Sequence, residues 1–277
     1  MFESLESRRL FAITLAPAMP TPPGLTSLDW TPSYPNSAGD QISIYMHGNK
    51  LVVNFGADGW LSRDISTFRW LRLNTGGGND EVVCSDALPV KVILRGGSGN
   101  DTLIGGVMND EVYGEGGDDA VFGNGGNDLV FGGSGNDGVF GSAGNDTIRG
   151  EDGNDTVDGN TGHDYMLGGN GNDVMRGGNG HDGIVGENGN DSIYGNDGND
   201  FIGGGSGDDY VEGNAGNDFL GGADGRDTLV GGAGRDTLSG GNGADAFYAE
   251  DGEQDRLLLS SDVLDVLIRT DTIDLLH

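Results

Sequence analysis

Between Gly96 and Tyr248 an apolar side chain returns at every ninth position. The series is Leu103, Val112, Val121, Val130, Val139, Ile148, Val157, Met166, Met175, Ile184, Ile193, Ile202, Val211, Leu220, Leu229, Leu238 and Phe247. Polar residues and glycines fill the eight positions between. Two residues before each apolar residue stands an aspartate, and five before that aspartate stands a glycine, from Gly96 to Gly240. A further glycine lies two before the aspartate in 16 of the 17 repeats, with Met108 as the exception. No insertion or deletion interrupts the series. Asp-x-apolar-x predicts a very short strand with one inward side chain, and the six glycine-rich residues that follow predict a turn. Strand, turn, strand, turn makes a flattened coil from two repeats. Coils stack at about 4.8 Å, giving a rod of about 40 Å. One coil cannot bury a core, but a stack of them makes a continuous apolar column.

Composition and charge sharpen this picture. Glycine supplies 56 of the 277 residues, and 45 acidic against 14 basic residues leave a formal charge of −31. Acidity of this order ordinarily signals disorder; three coincident registers over 17 repeats argue for order instead. Nucleic acid is excluded as a partner, because its phosphates would be repelled. One cysteine excludes an intramolecular disulfide. No apolar run is long enough for a transmembrane segment. Glycine without a three-residue period and only seven prolines exclude collagen.

The register aspartates are the candidate metal ligands: Asp101, Asp110, Asp119, Asp128, Asp137, Asp146, Asp155, Asp164, Asp173, Asp182, Asp191, Asp200, Asp209, Asp218, Asp227, Asp236 and Asp245. Stacking brings each near the one two repeats on. Two columns of carboxylates then form in a block that holds 28 acidic residues and four arginines. A cation must sit between the turns. Carboxylates with backbone carbonyls from tight glycine turns make an all-oxygen cage, which suits Ca2+. Mg2+ demands stricter octahedral geometry and keeps its waters, and Zn2+ prefers N and S ligands. The gaps between stacked turns number at most about 15, so the expected load is up to about 15 Ca2+. Binding then becomes folding energy, and the metal-free chain is expected to be largely unfolded.

GGSGNDTLI at 96–104, GGSGNDGVF at 132–140 and GGAGRDTLS at 231–239 carry a resemblance. The block resembles the haemolysin-type calcium-binding nonapeptide repeats, the RTX family, with pattern G-G-x-G-x-D-x-U-x. The resemblance implies an all-β fold, a parallel β-roll (a right-handed β-solenoid with two repeats per coil), and calcium ligation by the aspartates named above. It covers more than half of the chain. The departures fall on the second glycine, as at Glu115, Asn124, Ser142 and Glu151, and on Met108.

The flanks give four expected segments. Residues 1–35 read as an export leader and Pro-rich linker. Ser7-Arg-Arg-Leu-Phe11 fits a twin-arginine pattern, with Ala16-Pro-Ala18 as a cleavage site. Residues 36–95 read as an irregular N-terminal β cap and solenoid start. Here Asp40-Gln-Ile-Ser-Ile-Tyr alternates as a strand, and Leu51-Val-Val, Ile65 and Leu71-Arg-Leu follow. Gly76-Gly-Gly-Asn-Asp80 repeats the turn motif, which makes Asp80 a further candidate ligand. Asp80 to Asp101 is two repeats plus three residues, one coil with a wider loop through Leu88-Pro89. Residues 96–248 are the calcium-binding β-roll. Residues 249–277 read as a C-terminal cap or a secretion segment, which many proteins of the resembled family carry there.

The functional expectation is a secreted, extracellular or cell-surface calcium-binding protein that folds on Ca2+. Its role is structural or adhesive, with a surface glycan or protein as partner and no enzymatic activity. The rival is a secreted polysaccharide hydrolase, for which Asp58 and Asp64, off the register, are the candidate carboxylate pair and lack supporting groups. Calcium buffering without a partner is the third reading. No H-E-x-x-H or G-x-S-x-G occurs. His163 and His181, two repeats apart, read as solvated turn residues, with a transition-metal pair as the alternative. Tyr113, Phe122, Phe131 and Phe140 end four consecutive repeats and predict same-face pairs Tyr113–Phe131 and Phe122–Phe140, as Phe201–Phe219 does further on. Such ladders stabilise a sheet; a contact surface is the alternative reading.

Overall fold

The computed structural model of the chain describes residues 26–30, 39–55, 60–64, 68–258 and 266–276. The Arg8-Arg9 pair, Ala16-Pro-Ala18, Asp58, Ile65, Val263 and Leu264 lie outside the described residues. Among those described, every regular element is a strand and no helix forms. The fold is an all-β parallel solenoid of about ten coils. Strand β9 (Glu111–Gly116) pairs in parallel with β11 (Leu129–Ser134), and β10 (Ala120–Gly125) with β12 (Gly138–Ala143). Partners are 18 residues apart, Val112 beside Val130 and Val121 beside Val139. The ladder keeps this step as far as β23 (Thr237–Asn242), where Leu220 lies beside Leu238. Two consecutive repeats therefore supply the two faces of one coil.

Every register apolar residue from Leu103 to Phe247 is fully buried. Each contributes about 1.5–3 kcal/mol through burial. One such residue in nine is a thin core, so the turns must contribute to holding the coil. The strands run longer than the sequence pattern suggests. From β9 to β23 each spans six residues, and in β9 both Val112 and Gly114 face inward. The turn proper shrinks to about three residues. The first glycine of each repeat is thus a strand residue, and the reason is contact. A Cβ on Gly114 would overlap Asp119 Oδ2 and the Gly132 carbonyl oxygen.

The second glycine position has a different demand. Glu115, Asn124, Ser142, Glu151, Asn160, Glu187, Asn196, Asn214 and Ala223 all occupy it, and all have φ between 70° and 82°. That left-handed conformation costs an ordinary L-residue roughly 1–2 kcal/mol and asparagine less. Glu151→Gly is therefore expected to stabilise the roll by about 1 kcal/mol, and Asn160→Gly by less. Melting in saturating Ca2+ checks this. The expected rise for Glu151→Gly is about 2–4 °C, and an unchanged or lower midpoint would remove the strain argument.

Both ends extend the stack. β5 (Phe68–Gly77) pairs with β7 (Lys91–Ser98), and β6 (Glu81–Cys84) with β8 (Thr102–Ile104), so Val82 lies beside Leu103 across a 21-residue step. The three extra residues fall in the loop that buries Leu88 and Val90. β1 (Thr26–Trp30) pairs in parallel with β5, so a strand forms within the stretch read as linker. β2 (Gln41–His47) continues the other face beside β6. It also starts an antiparallel meander with β3 (Lys50–Asn54) and β4 (Trp60–Asp64), which the sequence reading did not contain. Gly48, at φ 61°, opens the two-residue turn joining His47 to Lys50. At the far end β24 (Ala246–Leu258) crosses both faces, pairing with β22 (Thr228–Ala233) and β23, and β25 (Val266–Leu276) pairs along it. The parallel ladder thus outlasts the glycine repeats.

Candidate metal centre

The turns place one aspartate above another along each edge of the roll. The backbone N–H of Asp119 donates to Oδ1 of Asp137 at 2.8 Å, that of Asp137 to Asp155 at 2.8 Å, and the pattern continues to Asp245. On the opposite edge Asp110 donates to Asp128 at 2.7 Å, and the series runs through Asp146, Asp164, Asp182, Asp200 and Asp218 to Asp236. Asp80 stands in the first column: Asp40 N–H donates to its Oδ1, and its own N–H donates to Oδ1 of Asp101 at 2.7 Å. The second column gains a member the sequence reading missed. Asp236 N–H donates to Oδ1 of Asp255 at 2.9 Å, one residue out of the 18-residue step. All these register carboxylates are buried, as is Asp255.

One oxygen of each carboxylate is spent on this ladder. The other is not. In each of the thirteen register aspartates from Asp119 to Asp227, and in Asp80 and Asp101, Oδ2 is buried and accepts no hydrogen bond. Leaving so many buried acceptors without a donor is costly. The neighbourhood of Oδ2 holds more acceptors. Beside Gly150, for example, the space of a Cβ is taken by Asp155 Oδ2 and the Gly168 carbonyl oxygen. Asp110 differs, because its Oδ2 accepts from the Gly106 N–H at 2.6 Å. This is the repeat in which Met108 replaces glycine, and its carboxylate already has a donor on each oxygen.

Burial drives the register pKa values upward. Desolvation is the largest cause throughout, opposed by the N–H from the preceding coil and reinforced in most by neighbouring aspartates. It carries Asp119, Asp128, Asp155, Asp164, Asp191, Asp218 and Asp227 to about 7. Asp101, Asp110, Asp146 and Asp200 rise to about 6. Asp137, Asp173, Asp182 and Asp209 rise for the same reason. A column of acceptors that resists ionisation in the folded state fits a bound cation that supplies the missing charge.

The donor set decides which cation fits. Among the described residues no three His, Cys, Asp or Glu side chains converge on one point. Any ion in the columns therefore draws on at most two carboxylates, with backbone carbonyls for the rest. That is oxygen-only, irregular coordination, which Ca2+ accepts and Zn2+ does not. Cys84 is buried, and burial pushes its thiol pKa up, so it offers no thiolate. Lys91 and Arg95 are engaged by Glu111 and Glu115 at 2.9 and 2.7 Å on the outer surface.

The residue before each register aspartate forms a second ladder that the sequence reading did not see. Asn127 N–H donates to Asn109 Oδ1, and Asn145 N–H to Asn127 Oδ1, each at 3.0 Å. His163 and His181 belong to it. His181 N–H donates to His163 Nδ1, and Asn199 N–H to His181 Nδ1, both at 2.7 Å, while the rings stack 5.1 Å apart. With Nδ1 accepting, the proton of each neutral ring sits on Nε2. Nδ1 of each ring is thus taken up by the ladder. Asp64 ends β4 opposite Lys50. The aromatic pairs form as the pattern predicts: Tyr113–Phe131, Phe122–Phe140 and Phe201–Phe219 stack at 5.0, 4.7 and 4.9 Å.

Comparison with known proteins agrees with this geometry. The profile of a family described as RTX calcium-binding nonapeptide repeat (4 copies) matches in seven stretches that together cover residues 95–253, more than half of the chain. No curated protein matches the chain. Nine-residue repeats, buried carboxylate columns and the profile match agree, and the chain belongs to the RTX calcium-binding nonapeptide repeat family and is a calcium-binding protein.

Proposed function

We propose that this protein is an extracellular calcium-folded rod with a structural or adhesive role, and that it is not an enzyme. The register aspartates from Asp101 to Asp245 hold the ions, with Asp80 and Asp255 extending the two columns and Asp110 contributing least. One observation carries the reading: thirteen consecutive register aspartates, each with one oxygen spent on the ladder and the other buried without a donor. Calcium supplies the charge that the folded columns lack, and the chain supplies the oxygens, so ion binding and coil formation are one event. The extracellular assignment rests on the class of site. Sites with few carboxylates bind at about 10⁻⁴–10⁻³ M, the range of extracellular modules. The cap-like and export roles of residues 1–35, 36–95 and 249–277 belong to the same proposal.

A calcium titration followed by far-UV circular dichroism, with Mg2+ as control, tests it. The expected result is a cooperative coil-to-β transition with its midpoint between about 0.1 and 1 mM Ca2+ and no response to Mg2+ at the same concentration. A sub-micromolar midpoint would move the protein to the range of intracellular buffers. A chain already rich in β-structure in chelator at pH 7.5 would detach folding from calcium.

A further inference from the structure

We propose that one face of the roll is a self-pairing surface, on which a second copy of this chain packs face to face. The inference rests on the calcium-folded state proposed above. On the face formed by alternate repeats, each strand points two residues outward, on either side of the buried register residue. Next to Ile184 these are Gly183 and Val185; next to Ile202, Phe201 and Gly203; next to Leu220, Phe219 and Gly221. On each of these three consecutive rungs one outward position is glycine and the other is large. Phe201 is 58% exposed and Phe219 37%, and they stack on each other, so they stand out as a ridge beside a glycine floor.

The chain itself gives no reason for two of these glycines. A Cβ at Gly203 would meet only Val185 at 3.9 Å, and one at Gly221 only the Ile202 carbonyl oxygen at 3.8 Å, both ordinary contacts. Neither has a left-handed φ. Glycine within a strand costs roughly 0.5–1 kcal/mol relative to alanine, so an unforced pair side by side invites a reason outside the monomer. A two-fold axis parallel to the stack and lying over Ile202 and Leu220 supplies one. It exchanges the two outward columns at constant height. Phe201 of one copy then faces Gly203 of the other, Phe219 faces Gly221, and Val185 faces Gly183, each contact occurring twice, as an isologous interface requires. An axis along the strands would set ring against ring instead.

Charge favours the same occupant. From Tyr165 to Ser239 neither residue flanking a buried register residue on this face is charged, in a chain of formal charge −31; the exposed Glu187 and Asp224 of these strands lie at their ends, beside the turns. Ionic partners find nothing to pair with here, whereas two neutral faces can approach once calcium has offset the carboxylate columns. Size sets the strength. The uncharged stretch spans five rungs, about 24 Å tall and about 10 Å wide. The resulting area of about 240 Å² per copy is under a third of that of a standard interface, so the pairing is weak and reversible.

Sedimentation in 5–10 mM Ca2+, as a function of protein concentration, tests the proposal on the full chain. The weight-average mass is expected to rise from one chain toward two between micromolar and millimolar protein. Filling the floor with Gly203→Val and Gly221→Val together is expected to leave the calcium titration and β-spectrum unchanged and to weaken association at least about tenfold. Phe201→Ser with Phe219→Ser should do the same. A wild-type chain that is calcium-folded yet monomeric at the highest concentration overturns the pairing. So does a folded floor-filled variant that associates as the wild type does. The spectrum recorded on the same samples separates these outcomes from failure of calcium-dependent folding.

Discussion

Gly186→Ala is expected to destabilise the calcium-bound roll by about 3 kcal/mol or more, a large effect for one methyl group. Gly186 is the first residue of its repeat. A Cβ there would overlap Asp191 Oδ2 and the Gly204 carbonyl oxygen. Both are backbone-anchored or locked in the ladder: Asp191 Oδ1 accepts from the Asp173 N–H at 2.8 Å, so its carboxylate cannot swing away without breaking that bond. Overpacking alone costs typically 1–3 kcal/mol, and the displaced oxygens are the ones assigned to calcium. The same substitution at Gly221, where the nearest atom would be 3.8 Å away, is expected to be neutral or slightly stabilising. The pair therefore separates a methyl group in the cage from a methyl group on the surface. Thermal melting in saturating Ca2+ should show a fall of at least about 6 °C for Gly186→Ala and a change of under about 2 °C for Gly221→Ala. Equal midpoints would mean that the space beside the first glycine carries no function.

This contrast also marks what a sequence can and cannot reveal in such a fold. Each repeat packs on the repeats 18 residues away, so the period alone places Val112 on Val130 and Asp119 on Asp137, and the apolar column and both carboxylate columns follow from counting. The role of the first glycine was visible only as an invariant position; that it is a strand residue pressed against a carboxylate needed coordinates. The second position was less legible because Glu, Asn, Ser and Ala all occupy it, and only their shared positive φ explains the original preference for glycine. The asparagine ladder had a signal that was passed over: ten of the 17 residues preceding a register aspartate are Asn. Asp255 escaped because it lies 19 residues after Asp236, where the glycines have stopped. Leu51-Val-Val reads alike in a parallel or an antiparallel strand, and Gly48-Asn49 was the one hint of a hairpin.

Stripped of metal, the chain is expected to fold in acid and unfold at neutral pH, the reverse of the usual acid denaturation. In the unfolded chain the aspartates titrate near 3.8, while in the metal-free folded roll burial raises Asp119, Asp155, Asp164, Asp191 and Asp227 to about 7 and Asp101, Asp146 and Asp200 to about 6. The folded state thus binds more protons between these limits, so stability falls with rising pH. The contribution of these groups is fully present below about pH 4 and is lost as pH climbs through 6 to 7. Two stacked columns multiply the effect, since many carboxylates ionise over one interval. Circular dichroism of decalcified protein at micromolar concentration should therefore show β-structure near pH 4.5 and coil at pH 7.5. Saturating Ca2+ should invert the dependence, because the metal needs ionised carboxylates and leaves as they protonate. A decalcified chain equally folded at both pH values would show that the columns bear no buried charge in the absence of metal. The case for calcium as their counter-charge would then fall with it.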